Sequence, residues 1–131
     1  MEYAAMAWAG WIAWQFARMC LAALLLTPSR PVFDGFRVTI PERVRAILTP
    51  AELAAVIAHE HGHRRHLHVW SNFALVCLFR RPSTERRQRQ ELQADDYAIG
   101  QGHGAALASA LLKLSTDPHD LARIDRITLS A

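Results

Sequence analysis

From Thr49 onward the chain turns into a run of good helix formers, with Leu53, Val56 and Ile57 placed for burial. The residues ahead of it mark a start. Thr49 can cap, Pro50 takes the first helical position where a missing N–H costs nothing, and Glu52 completes a capping box. This predicts a helix that carries His59 and His63 in its third and fourth turns. Upstream, Phe36, Val38 and Ile40 alternate with Arg37 and Thr39 as in a half-buried strand, and Asp34-Gly35 is a two-residue turn signal. Val32–Pro41 therefore reads as a hairpin that covers the core and presents an edge strand. Downstream, Ala105–Leu114 follows the breakers Gly100, Gly102 and Gly104 and predicts a core helix packed on the first, with His103 as a loop residue. Pro82-Ser83 is the internal linker.

Two apolar runs change the picture. From Ala4 to Leu26 the strongly polar side chains are Gln15 and Arg18, over 23 residues, a length that can cross a bilayer. Trp8, Trp11 and Trp14 suit a membrane interface, whereas Arg18 is costly at mid-bilayer unless it snorkels. Two readings stay open for segment 1–30: a membrane anchor with the rest of the chain on the cytoplasmic side, or a helix covering the domain or its cleft. Met1-Glu2-Tyr3 lacks a basic region, so no secretory signal peptide is expected. The second run, Val69–Phe79, is about eleven residues and too short to span alone. It reads as a core helix or a membrane-dipping element. Arg80, Arg81, Arg86, Arg87 and Arg89 follow it, which suggests contact with anionic lipid head groups. No recognition motif accompanies these arginines, so no nucleic-acid partner is expected.

Composition adds bounds. At 131 residues one domain with a modest core is expected, here over 31–131, and the net charge is only +3. Cys20 and Cys77 both lie in apolar segments and read as buried thiols.

The candidate chemistry is His59-Glu60-His61-Gly62-His63. Residues i and i+4 share a helical face, so His59 and His63 can grip one zinc ion. Glu60, rotated roughly 100°, can reach a water activated by that ion as general base. Gly62 costs about 1 kcal/mol in a helix interior and makes sense if another backbone packs closely there. Zinc needs a third protein ligand. His66 lies roughly 10 Å further along a continuing helix, and His68 fails similarly; the run Arg64–His68 reads as a basic, solvated helix end. A third histidine after a glycine-containing extension is excluded by Arg65 and Val69. Glu91 is the better candidate. It forms an i,i+4 carboxylate pair with Asp95, and such a pair is odd unless a cation or a ligand imidazole lies nearby. The alternative is an ordinary charged helix face beside Arg87 and Arg89.

HExxH followed by Glu91-x-x-x-Asp95-x-x-Ala98 resembles the gluzincin peptidases of the CAAX prenyl protease and HtpX type, and the related BlaR-type sensor peptidases. Leu48–Glu60 is similar to the family's entry into its zinc helix. Ser115-Thr116-Asp117-Pro118-His119 with Arg123-Ile124 is similar to its C-terminal segment, so the resemblance covers roughly residues 32–127. It implies a zincin-like α+β fold, mostly helical with a short N-terminal hairpin beside the zinc helix. It also implies one catalytic zinc ion on His59, His63 and Glu91, with Glu60 as base, Asp95 behind a ligand, and Arg123 near the reaction centre. One departure bears on activity: the family's histidine, thought to steady the tetrahedral intermediate, falls at Asp117. An ionised aspartate cannot donate to an oxyanion, which leaves His119 or Arg123 for that task. The expected function is a zinc metalloendopeptidase that holds a peptide or protein extended along the edge strand. The alternatives are an ImmA-type repressor-cutting protease and a zinc-binding pseudo-peptidase.

Overall fold

The computed structural model describes residues 1–115 and 117–130. Its architecture is mostly helical α+β, as the sequence predicts. In chain order the elements are α1 (Glu2–Leu25), β1 (Val32–Phe33), β2 (Val38–Thr39), α2 (Glu42–Arg45), α3 (Pro50–Arg65), α4 (His68–Cys77), α5 (Thr84–Gly100), α6 (Gly104–Leu114) and α7 (Pro118–Ser130).

α3 begins as its capping signals require. Thr49 Oγ1 accepts from the Glu52 N–H at 3.3 Å, and Glu52 Oε2 accepts from the Thr49 N–H at 2.7 Å. Glu52 does more than cap. It also accepts from Ser109 Oγ at 2.6 Å and Lys113 Nζ at 2.7 Å, tying the start of α3 to α6. Lys113 and these hydrogen bonds bring its carboxyl down to about 2. Ala55 and Ala58 of α3, Ala98 of α5, Leu107 and Ala108 of α6, and Ile124 and Ile127 of α7 form one buried cluster. A second joins Ile40, Val44, Leu48, Val56 and Ala110. Leu107 and Ile127 are fully enclosed. Each contributes about 1.5–3 kcal/mol through burial. The small residues on α3 and α5 let those two helices approach closely, and that approach places the site.

β1 and β2 pair antiparallel, Val32 with Thr39 and Phe33 with Val38. The hairpin is therefore present, but its turn is longer than the two-residue Asp34-Gly35 turn expected. Asp34–Arg37 forms a four-residue connection, closed by the Asp34 N–H donating to the Arg37 carbonyl at 3.2 Å and by Asp34 Oδ1 accepting from the Phe36 and Arg37 N–H groups. Gly35 takes φ +102°, which suits glycine. The longer loop removes Phe36 from the alternating strand pattern; it is exposed and packs edge-on against Trp70.

α1 lies against α4. The Trp8 and Trp11 indole N–H groups donate to the Cys77 and Val76 carbonyls at the end of α4, at 2.9 and 3.2 Å, and Val76 shares its carbonyl with the Phe79 N–H. Gln15 is the buried residue of α1, and most of its large apolar side chains face outward. Among the described residues no helix is long and apolar enough to cross a membrane. In α1, Glu2, Gln15, Arg18 and many alanines dilute the apolar run. Cys77 is a buried free thiol and Cys20 a half-buried one.

Candidate metal centre

α3 supplies His59, Glu60 and His63, and α5 supplies Glu91 and Asp95 from the facing side. The two helices meet at Gly62. A Cβ there would stand 2.7 Å from Ala94 Cα and 3.0 Å from Ala94 O. The glycine therefore answers a close backbone approach, as its place in the motif suggested.

The side chains converge. His59 Nε2 and His63 Nε2 are 3.2 Å apart. Glu91 reaches His59 Nε2 with Oε2 at 3.4 Å and His63 Nε2 with Oε1 at 3.5 Å. A tetrahedral zinc ion with ligands at about 2.0–2.1 Å holds its donor atoms about 3.3–3.4 Å apart. The two ring nitrogens stand close to that edge length, Glu91 approaches each with a different oxygen, and one donor atom from each residue lies within 4.8 Å of the others, so the donor set suits the ion in chemistry and can close on it. His59, His63 and Glu91 can together hold a metal.

The surrounding charges support the same arrangement. Burial pushes the His59 imidazole down, but Asp95 and Glu91 outweigh it and bring it up to about 9. Burial and the neighbouring His59 bring His63 down to about 4, leaving it neutral near pH 7. Glu91 and Asp95 both stay ionised despite burial, held low chiefly by His59 and Arg123 respectively. The two carboxylates draw positive charge: Arg123 meets both, a proton on His59 adds to it, and a cation between the three donors would add more.

Asp95 is fully buried, and its Oδ1 lies 2.9 Å from His59 Nδ1. That contact is short but lies off the N–H axis, and the nitrogen has no other partner. Arg123, from α7, holds Asp95 with two hydrogen bonds at 2.9 and 2.7 Å, and its Nη1 also meets Glu91 at 3.3 Å and Asp120 at 3.1 Å. The guanidinium is thus engaged by three carboxylates. Glu60 is buried, and its Oε2 accepts from the Phe33 N–H of β1 at 2.7 Å. Burial raises its carboxyl, while His59 and that N–H work against the rise. A cavity of about 1280 Å³ runs past Phe33, His59, Glu60, His63, Glu91 and Arg123. No residue of α1 lines it.

The C-terminal segment behaves differently. Asp117 Oδ1 accepts from the His119 N–H at 3.0 Å, a helix-capping contact at the start of α7. The exposed His119 ring accepts from Gln88 Nε2 at 2.9 Å. Thr116 lies outside the described residues.

One expectation is corrected. His68 is not part of a solvated helix end. It is buried, its Nδ1 lies 2.8 Å from His63 Nδ1, and its Nε2 lies 2.9 Å from Gln93 Oε1. α3 stops at Arg65, and Leu67, with φ 53° in the left-handed region, turns the chain back so that His68 faces the site. His68 reaches His63 because the helix does not continue past Arg65. The Phe33 N–H was also missed, since nothing in a strand pattern tells which amide points at a carboxylate.

Residues 30–84, about two-fifths of the chain, match the sequence model of peptidase family M48. The match spans the hairpin, α3 and α4, and Glu91 and Arg123 lie beyond it. No curated protein and no solved structure matches the chain. M48 peptidases are metal-dependent, and the three-residue group stands where such a metal would be held. The resemblance read from the motifs is borne out: over residues 30–84 the chain is similar to the zinc metallopeptidases of peptidase family M48.

Proposed function

We propose that this chain is a zinc-dependent endopeptidase, with one catalytic ion on His59, His63 and Glu91. The observation that carries the reading is the convergence of His59, His63 and Glu91 donor atoms beside a buried Glu60 carboxylate. Bound zinc would supply Lewis-acid activation of a water and of the scissile carbonyl. Glu60 takes the proton from the attacking water and delivers it to the leaving amine. Its raised affinity for protons, from burial, suits a group that must accept one and then give it up. The Phe33 N–H fixes the carboxylate's direction. The outer edge of β1 lies beside Glu60, so a peptide or protein substrate lying extended there reaches the base. Asp95 orients His59, and Arg123 holds both carboxylates in place. His119, free of carboxylates, is the better donor for a developing oxyanion.

A second reading is a protein that binds the metal without cleaving. It is favoured by Arg123, whose donors are already taken by three carboxylates, and by Asp117, which is spent on capping. As for location, α1 and the exposed Leu78 and Phe79 at the end of α4 form an apolar surface next to Arg80 and Arg81. We assign this surface to the cytoplasmic face of a membrane, lying in the interface rather than spanning it.

The test is casein or peptide cleavage by wild type and Glu60→Gln at equal zinc content. The variant should keep its zinc and lose cleavage by roughly 10²–10⁴-fold. Equal cleavage by both would overturn the assignment of the base. Zinc binding by the wild type without any cleavage would establish the second reading instead.

A further inference from the structure

We infer that His68 and Gln93 form a two-step hydrogen-bond relay that locks His63 in the tautomer presenting Nε2 to the metal, which makes both of them positioning residues. The inference rests on the zinc reading of the same site.

Two imidazole nitrogens 2.8 Å apart, His63 Nδ1 and His68 Nδ1, must share one proton: two N–H groups would clash and two lone pairs would repel. The other end of the chain decides which nitrogen carries it. His68 Nε2 lies 2.9 Å from Gln93 Oε1, an amide oxygen that can only accept. His68 therefore carries its proton on Nε2 and leaves Nδ1 bare. His63 then donates from Nδ1, and its lone pair stays on Nε2. That nitrogen faces His59 Nε2 at 3.2 Å and Glu91 Oε1 at 3.5 Å. Were the Gln93 amide turned over, its NH₂ would donate to His68 Nε2. The order would then reverse and place a proton on His63 Nε2, where it blocks a metal.

The backbone is shaped for this contact. On one continuous helix, residues five apart are rotated roughly 140° from each other and cannot meet. The break after Arg65 and the left-handed Leu67 bring His68 back to His63, in a conformation that leucine rarely adopts. Asn72 and Arg86 keep α4 and α5 in register around the relay: Asn72 Nδ2 donates to Gln90 Oε1 at 2.9 Å and Arg86 Nε donates to Asn72 Oδ1 at 3.0 Å. The two histidines of the site are thus held by different means. His59 has a carboxylate behind it, and His63 has a neutral chain that ends at the solvent edge on the exposed Gln93.

Three variants and one spectrum test the relay. Zinc affinity is measured by competition with a chromophoric chelator at fixed pH, on proteins whose urea midpoints show that they are folded. His68→Leu keeps volume but loses the acceptor, and should bind zinc roughly 10–100-fold more weakly. His68→Asn puts an amide oxygen near the position of Nδ1 and should recover most of that loss. Gln93→Leu, at an exposed position, should fold normally and show a smaller loss in the same direction. In the zinc-free wild type, nitrogen-15 imidazole spectra should show His68 protonated on Nε2 and His63 on Nδ1. Wild-type affinity in folded His68→Leu would overturn the inference, as would a proton on His68 Nδ1. Affinity as weak in His68→Asn as in His68→Leu would reduce His68 to packing. If the wild type binds no zinc, the metal reading fails, and the spectrum still decides whether the relay exists.

Discussion

Gly62→Ala separates two opposed effects at one position. Helix propensity alone predicts that alanine stabilises α3 by about 1 kcal/mol. The structure predicts the reverse. The new methyl would lie 2.7 Å from Ala94 Cα, 3.0 Å from Ala94 O and 3.2 Å from Ala94 Cβ. Ordinary carbon contacts stand about 3.5–4.0 Å apart, so α3 and α5 must separate by roughly 1 Å. The obstacle is backbone, which cannot swing aside as a long side chain would. Overpacking of this kind typically costs about 1–3 kcal/mol, and here the helices also lose contacts along their small-residue seam. The net expectation is a loss of up to about 2 kcal/mol after the propensity gain. The same separation draws His59 and His63 away from Glu91, so zinc affinity should fall by tenfold or more. Urea unfolding gives the first quantity, read as a shifted midpoint at unchanged slope, and chelator competition gives the second. A variant as stable as wild type, or more so, with unaltered zinc affinity would refute the close-approach reasoning.

Other outcomes follow from the same contacts. Thr49→Ala removes the hydroxyl that accepts from the Glu52 N–H and should cost about 1 kcal/mol, lowering the melting midpoint by about 4 °C with zinc affinity nearly unchanged. Asp95→Asn weakens the support of His59 and leaves Arg123 short of one charge. It should lose roughly 10–100-fold in zinc affinity and about 3 kcal/mol in stability by the same two assays, and an unaltered affinity would remove Asp95 from the site's support. The zinc-free protein should be most stable near pH 6.5. His59, raised from 6.5 to about 9, contributes fully below 6.5 and loses its contribution as pH rises through 9. His63, lowered from 6.5 to about 4, contributes fully above 6.5 and loses its contribution as pH falls through 4. A melting midpoint that climbs steadily from pH 6 to pH 9 would contradict this pair of shifts.

Local chemistry explains which parts were legible in the sequence. The start of α3 could be read because Thr49, Pro50 and Glu52 act within one turn of each other, and Gly62 because a glycine inside a helix needs a tertiary reason. The hairpin's existence was legible from alternation, but its loop length was not. Asp34 closes a four-residue loop through two backbone N–H groups, and that choice depends on how the strands meet α3. A place for Asp95 behind a ligand histidine followed from a single odd feature, two carboxylates on one turn; that the histidine is His59 shows only once α3 and α5 meet. His68 was hidden, because its place depends on α3 stopping at Arg65 and on Leu67 turning the other way. Those are tertiary decisions that helical spacing argues against. Arg123 was placed near the centre by resemblance, but its hold on three carboxylates is visible only once α7 packs against α5.

The most direct test of the central claim is zinc content per chain, with X-ray absorption of the bound ion, for wild type and Glu91→Ala purified without chelator. The structure predicts one ion per chain with two nitrogen ligands and a carboxylate oxygen at about 2.0–2.2 Å, and a sharply reduced content in Glu91→Ala. A wild type that holds no zinc, or a Glu91→Ala variant that holds it undiminished, would contradict the account.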